Sequence, residues 1–158
     1  MNLTEIMGML SAENLDERHA AVEKLALLAK NDPDTIIPQI IAAIKQSDLN
    51  VRWYLGRALI KTGFSVIPYI ISASGQETEM DIQKYYGAVL AAFGEEAVPT
   101  LVGLFSSENP TTRGMSAASL ERIGPPSVPA LIEAAHSDNI NVRLCAQLTL
   151  GKFDIFDY

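Results

Sequence analysis

Two series of residues recur along this chain with one shared period of about thirty residues. The first series has arginine, and once glutamine, at intervals of 34, 31, 30 and 30 residues. The second has isoleucine or valine followed by proline, with the prolines 30, 31 and 30 residues apart. Interleaved series with one period predict a chain of stacked structural repeats, each burying its apolar face only against its neighbours. The first series is Arg18, Arg52, Gln83, Arg113 and Arg143, and the second is Pro38, Pro68, Pro99 and Pro129.

The first half of each period is predicted to be an α-helix. Apolar residues recur there at helical spacing, as in Val51, Leu55 and Leu59. Most of these stretches end in a glycine, which tolerates the left-handed backbone that commonly terminates a helix. Helix-capping residues are expected two positions before each member of the arginine series. The expected caps are Asp16, Asn50, Asp81, Thr111 and Asn141, and the terminating glycines are Gly63, Gly94 and Gly124.

The second half of each period is predicted to be a partner helix. The series prolines are expected in its first turn, where no backbone N–H is needed. No stretch alternates polar and apolar residues for long, so strands are not expected. The prediction is an all-α fold, an α-α superhelix of about four to five two-helix repeats, forming one domain over residues 1–158. Its expected parts are a capping helix at 1–13, helix pairs at 14–46, 48–75, 79–107 and 109–137, and a capping helix and tail at 139–158, of which residues 153–158 are expected to fold over that end.

The repeat motif resembles that of the HEAT-repeat superfamily, in particular the short-repeat branch of phycobilisome-lyase HEAT-like proteins. The matching elements are the Asp-Leu-Asn-Val-Arg segment at 48–52, the Leu-to-Gly ending at 59–63, and the Val-Pro-x-Leu opening of the partner helix. The chain departs from the pattern at Gln83, where arginine is usual, and at Tyr85 and Tyr86, where small residues are usual. The resemblance implies an α-solenoid and, since such solenoids serve unrelated tasks, implies little about function.

The resemblance also implies that the arginine-bearing helix lines the concave, partner-facing side. Specificity would then reside one, two, five and nine residues after the arginine position, and helical spacing places those offsets close together. Aromatic and arginine side chains are common anchors of interfaces. We therefore expect a partner protein to bind this concave face. The candidate partner-binding residues are Trp53, Tyr54, Arg57, Lys61, Lys84, Tyr85, Met115, Arg122 and Lys152.

The charge on these positions contrasts with the charge of the whole chain. The formal net charge is −7, yet the chosen offsets hold five cations and only one acidic residue, Glu23. An acidic segment of a partner would suit such a face, whereas broad nucleic-acid binding is disfavoured by the overall acidity. Three other interpretations stay open: packing of the aromatic residues between repeats, cations that are merely solvated, and a homodimer interface.

Other residues of the series have structural interpretations. The arginines of the first series are predicted to bind caps and carboxylates of adjacent repeats. Tyr86 falls at a normally buried offset and is predicted to lie in the core.

Catalytic and metal chemistry find little support in the sequence. His19 and His136 lie about four repeats apart, so they cannot share a metal in a solenoid. The single cysteine, Cys145, has no obvious neighbouring base. The chain has no phosphate-binding glycine loop and no nucleophile elbow. We expect a non-catalytic adaptor or scaffold without a cofactor or a metal.

Two alternative functions remain open. One is a bilin-lyase-like chromophore-binding subunit, in which Trp53, Tyr85 and Arg57 would stack on a tetrapyrrole and pair with its propionates. The other is nucleic-acid binding like that of HEAT-like DNA glycosylases.

The sequence also bears on the compartment. A single cysteine fits a reducing compartment. Residues 1–10 contain no basic residue and too short an apolar run for a signal peptide. No run of about 18 apolar residues would span a membrane. A cytoplasmic location is expected.

Overall fold

The chain folds into α-helices joined by short connections. The computed structural model describes residues 2–153, and within them there are ten α-helices, short 3-10 turns and no β-strand. The predicted all-α solenoid fold is confirmed. The expected folding of the segment 153–158 over the end of the chain concerns residues 154–158, which lie outside the described range. The helices are α1 (Leu3–Gly8), α2 (Leu15–Asn31), α3 (Pro33–Gln46), α4 (Leu49–Thr62), α5 (Ile67–Gln76), α6 (Met80–Ala91), α7 (Val98–Gly103), α8 (Pro110–Ile123), α9 (Val128–Ala134) and α10 (Ile140–Leu150).

Two compact units make up the chain, Met1–Ile70 and Ile71–Tyr158, and the division falls within α5. In the first unit α2 packs against α4, and α3 packs against both. Its core contains Leu25, Ile40 and Leu59, all fully buried. In the second unit α6 packs against α8, and α10 packs against both α8 and α9. Its core contains Ile82, Leu101, Leu120 and Leu131, all fully buried.

The helices that carry the arginine series, called the first helices below, are α2, α4, α6, α8 and α10. Four of them begin at an Asn or Asp side chain that accepts a hydrogen bond from a backbone N–H of the first turn. These caps lie four residues before the arginine position, so the expectation of two residues was wrong. The polar residues at the expected positions are already inside the first turn. The observed caps are Asn14, Asp48, Asn109 and Asn139.

The start of α6 uses a different residue. Glu79 stands at the equivalent position but makes no cap hydrogen bond to the first turn. Instead, the buried carboxylate of Glu77 accepts hydrogen bonds from the backbone N–H groups of Thr78 and Glu79, both at 3.0 Å. The segment that leads into α6 is therefore held by Glu77, two residues before the position of the expected cap.

Two of the three glycines predicted to terminate first helices do so, whereas α6 already ends at Ala91 and Gly94 begins the 3-10 segment that follows. Gly63 has a φ of 105° and Gly124 a φ of 88°, in the region that residues with a Cβ avoid. Each of these two glycines ends a first helix and turns the chain into a short 3-10 segment that leads to the partner helix.

The proline prediction holds in three repeats and is wrong in the first. Pro68, Pro99 and Pro129 each stand at the second position of their helix. Pro38 lies inside α3, which already begins at Pro33. The longer first repeat supplies an extra turn of helix before Pro38, and Pro33 takes the opening position that needs no N–H.

All five residues of the arginine series make the same kind of contact. Each side chain donates a hydrogen bond to a main-chain carbonyl oxygen at the end of the preceding helical segment or just after it, for example Arg113 to Ser107 at 2.6 Å. Gln83 does so with its amide group, which donates to the carbonyl of Glu77. Four of the five contacts are to residues of the segment that connects two helices, where the carbonyl groups lie outside the helical hydrogen-bond pattern and need another donor. For Arg18, Arg113 and Arg143, which pair with no carboxylate among residues 2–153, the expected pairing with carboxylates is corrected to pairing with the main chain. The other acceptors are the carbonyls of Ala12 for Arg18, Ile44 and Lys45 for Arg52, and Ser137 for Arg143.

Candidate functional site

A cleft opens between α2 and α4 in the first unit. Its volume is about 230 Å³. It contains the only tryptophan of the chain, a second aromatic ring, two cations and one carboxylate. We call it the aromatic cleft. Its lining residues are His19, Val22, Glu23, Trp53, Tyr54, Arg57 and Lys61.

The two aromatic residues of the cleft differ sharply in exposure. Trp53 is 57% exposed, whereas Tyr54 is only 8% exposed. Their rings meet edge to face, with centroids 5.0 Å apart and an interplanar angle of 90°. Tyr54 also lies under the Arg18 guanidinium, which is 5.8 Å from the ring centroid, and beside His19. Tyr54 was expected on the exposed face, and this is corrected, because its position points into the seam between α2 and α4.

Arg57 stacks on Trp53, one helical turn further along α4. The Cζ atom of Arg57 is 5.6 Å from the centroid of the Trp53 ring, a cation–π distance. Arg57 is exposed, and among residues 2–153 no carboxylate pairs with it. The guanidinium is thus held in place by an aromatic ring while its hydrogen-bonding groups face solvent.

Lys61 has a partner of opposite charge. Its ammonium group donates a hydrogen bond to the Glu23 carboxylate of α2. This hydrogen bond, together with the positive charge of Lys61, lowers the pKa of Glu23 below its ordinary value. Of the two cations in the cleft, only Arg57 is left to attract an anion.

The equivalent face of the second unit consists of shallow grooves. One, of about 390 Å³ between α6 and α8, has a floor of glycine and alanine with Lys84 and Arg122 on its walls. Another, of about 350 Å³ between α8 and α10, contains Cys145 and Leu148. Lys84, Arg122 and Lys152 are all exposed, as expected.

The sequence analysis missed one acidic residue of these grooves. Glu121 lies on the wall of both, and its carboxylate is 3.6 Å from the Lys152 ammonium. Glu121 stands eight residues after Arg113. The sequence analysis considered the position nine residues after the arginine and not the position eight residues after it, so this residue was not named. Lys61 and Lys152 are therefore both paired, and the expected excess of five cations over one anion is too large.

Two further candidates lie partly or wholly inside the second unit. Met115 is 5% exposed, so its expected place on the surface is corrected; its side chain packs beside Gly87 of α6, where there is no Cβ to keep it out. Tyr85 is half-buried and its ring lies 6.2 Å from that of Tyr86. Tyr86 lies in the core as predicted, and burial raises the pKa of its hydroxyl.

A row of exposed apolar residues also escaped the sequence analysis. Four first helices begin with a large apolar side chain that is more than half exposed. An apolar residue at the start of a helix fits the pattern of a core residue equally well, so the sequence did not indicate that these side chains are exposed. These residues are Leu15, Leu49, Met80 and Ile140.

Membrane and metal features can be stated for the described part of the chain. No single helix within residues 2–153 is long and apolar enough to cross a membrane, although two bent helix pairs would pass by length and composition alone. In the same range, no three His, Cys, Asp or Glu side chains are grouped so that they could hold a metal ion.

Comparison with known proteins identifies the repeat. No curated protein sequence shows a significant match to the chain. A protein-family model described as HEAT repeats matches residues 67–151, which is more than half of the chain. This match agrees with the helix pairs, with the glycines that end two of the first helices, and with the side-chain contact that recurs in every repeat of the arginine series. The chain therefore belongs to the HEAT-repeat family.

Proposed function

We propose that this protein is a non-catalytic adaptor or scaffold that binds a partner protein through the exposed face of its first helices. HEAT repeats commonly mediate protein interactions. The aromatic cleft is proposed as the principal contact, and an acidic segment of the partner as the group that enters it. We place this activity in the cytoplasm.

The exposure of Trp53 carries this proposal. A tryptophan ring is a costly group to leave in water, and tryptophan and arginine are enriched among residues that dominate binding energy. Here a ring that is 57% exposed lies under a guanidinium that has no anionic partner among residues 2–153. Burial of this pair by a partner would remove apolar surface from water and give Arg57 its anion.

The alternative functions receive less support. Pockets for drug-sized ligands measure about 300–1,000 Å³, whereas the aromatic cleft measures about 230 Å³, which is small for a tetrapyrrole. Nucleic-acid binding needs many cations that can pair with phosphates. Lys61 and Lys152 are already paired with carboxylates, which leaves few for that purpose.

A capture experiment with matched variants tests the proposal. The full chain, Trp53→Ala and Leu49→Ala are each used to capture proteins from the source cells, and each captured protein is then purified and measured by calorimetry. Leu49→Ala is the control because Leu49 begins the same helix and, at 79%, is more exposed than Trp53.

We expect Trp53→Ala to weaken binding of the purified partner at least about tenfold, as for an interface hot spot, and Leu49→Ala to leave it unchanged. Equal binding by all three proteins would show that the aromatic cleft is not the contact.

A further inference from the structure

We infer that the aromatic cleft recognises a peptide in which one bulky apolar side chain stands next to an aspartate or glutamate. The apolar side chain would enter the cleft against Trp53, and the neighbouring carboxylate would pair with Arg57. This inference rests on the proposed function and names the chemistry of the partner.

The size of the cleft sets the size of the group that it takes. A water molecule occupies about 30 Å³ in the liquid, so a volume of about 230 Å³ corresponds to roughly eight waters. That is room for one large side chain and not for a helix face. Apolar surface is available in it, since the buried Val22 and Tyr54 and the exposed Trp53 ring all line the cleft.

Of the two cations that line the cleft, only Arg57 is available to pair with the carboxylate of the peptide. On one side, the Lys61 ammonium is already hydrogen-bonded to Glu23, so a second carboxylate there would meet the like charge of Glu23. On the other side, Arg57 is stacked on Trp53 and has no anionic partner among the described residues. A guanidinium that is already positioned loses little side-chain entropy when it binds a carboxylate in bidentate fashion.

The two requirements together define the peptide. An apolar side chain without a neighbouring acid would leave Arg57 unpaired. An acid without an apolar neighbour would leave the Trp53 ring exposed. A basic residue beside the apolar one would face Arg57 and be repelled.

Trp53 supplies the readout, because it is the only tryptophan in the chain. Its emission is followed while the full chain is titrated with four capped peptides that differ only in their two central residues: Leu-Asp, Leu-Asn, Leu-Lys and Gly-Asp. We expect a saturable blue shift with Leu-Asp. Binding of Leu-Asn and Gly-Asp should be at least about fivefold weaker, and binding of Leu-Lys weaker still.

Two variants assign the carboxylate contact. Arg57→Gln is expected to abolish the difference between the Leu-Asp and Leu-Asn peptides while keeping the leucine contribution. Lys30→Gln removes a positive charge from an exposed position of the first unit that does not line the cleft, and it should leave that difference intact. Circular dichroism and the melting temperature are measured for both variants to check that they keep the fold.

The inference would be overturned by equal binding of Leu-Asp and Leu-Asn or by an undiminished difference in Arg57→Gln. It would also be overturned by a blue shift that depends on protein concentration alone, because a second copy of the chain would then cover the cleft. If all peptides fail while capture of a purified partner still depends on Trp53, the peptide chemistry is wrong and the interaction function stands. If capture is also independent of Trp53, the proposed function fails as well.

Discussion

Arg57 and Lys61 stand one turn apart on α4 and have different surroundings. Lys61 is hydrogen-bonded to Glu23 across the helix seam, whereas Arg57 lies on an aromatic ring and keeps its donors toward solvent. Two cations that look equivalent in the sequence therefore differ in what they offer a partner. Exposed ion pairs add little to stability, so the pair of Glu23 and Lys61 serves mainly to remove a charge from the cleft.

The Glu23 carboxyl group should report this pairing. Because its pKa is lowered in the folded chain, the pair stabilises the fold above the ordinary pKa of 4.5, and this contribution is lost as the pH falls through the lower folded value. Lys61→Met should raise the pKa of Glu23 toward its ordinary value. The measurement is a carbon-detected NMR titration of the Glu23 side chain.

Lys30→Met is the matched control, because Lys30 acts on Glu23 only through a weaker charge interaction. Its effect on the Glu23 pKa should be smaller than that of Lys61→Met. A Glu23 pKa that is the same in the wild type and Lys61→Met would show that the pair does not persist in solution.

At the scale of the helices, the arginine series holds each first helix to the end of the helix before it. Four of the five acceptors are carbonyl groups of the segment just after a helix, outside the helical hydrogen-bond pattern. Each bond is thus made between a charged donor, or the Gln83 amide, and a group that would otherwise need water. The guanidinium also suits a helix C-terminus because of the partial negative charge there.

Two arginines of α8 allow a matched test of this contact. Arg113 donates to the Ser107 carbonyl and is half-buried, whereas Arg122 is exposed and has no anionic partner among residues 2–153. Hydrogen bonds from charged groups contribute about 1.5–3 kcal/mol, so Arg113→Met should lower the free energy of unfolding by about 1.5 kcal/mol. Arg122→Met should change it by less than about 0.5 kcal/mol. Urea denaturation measures both, and equal effects would contradict a structural role specific to Arg113.

The helical architecture could be predicted from the sequence because it follows from periodicity. Helix type, the glycine ends and the burial of Tyr86 all come from local pattern and spacing. The caps were misplaced because Asp and Asn occur both two and four residues before the arginine, and only geometry decides which one caps. Tyr54 and Met115 were expected on the surface because helical offsets give a direction but not the distance to the neighbouring helix.

The candidate site was predicted only in part for the same reason. Trp53 and Arg57 were named from their offsets, but their stacking was not foreseen. The pairing of Lys61 with Glu23 joins residues 38 positions apart, and it depends on the packing of α2 on α4. Long-range pairs of this kind determine which charges stay available.

At the scale of the whole molecule, an acidic protein is proposed to bind an acidic peptide. The net charge of −7 repels such a peptide at long range, whereas Arg57 attracts it only at contact. Salt screens the distant repulsion first, since the Debye length falls from about 30 Å at 0.01 M to about 8 Å at 0.15 M. The association rate of the Leu-Asp peptide should therefore rise, or stay level, as salt is added between these concentrations.

Stopped-flow measurement of Trp53 emission tests this salt dependence, with the Leu-Asn peptide as the control of lower charge. A steep fall in the association rate would show instead that a broad positive field guides the peptide. That result would favour the basic face first expected from the sequence.

The main-chain acceptors of the arginine series also bear on how such a chain could grow. A carbonyl group is present whatever residue occupies the position, so the acceptor places no demand on sequence identity. A gene segment encoding one period of about thirty residues would therefore bring its own donor and find a ready acceptor in whatever repeat precedes it. Duplication or deletion of a whole repeat would keep this contact intact at the new junction, while the exposed side chains of that repeat remained free to diverge.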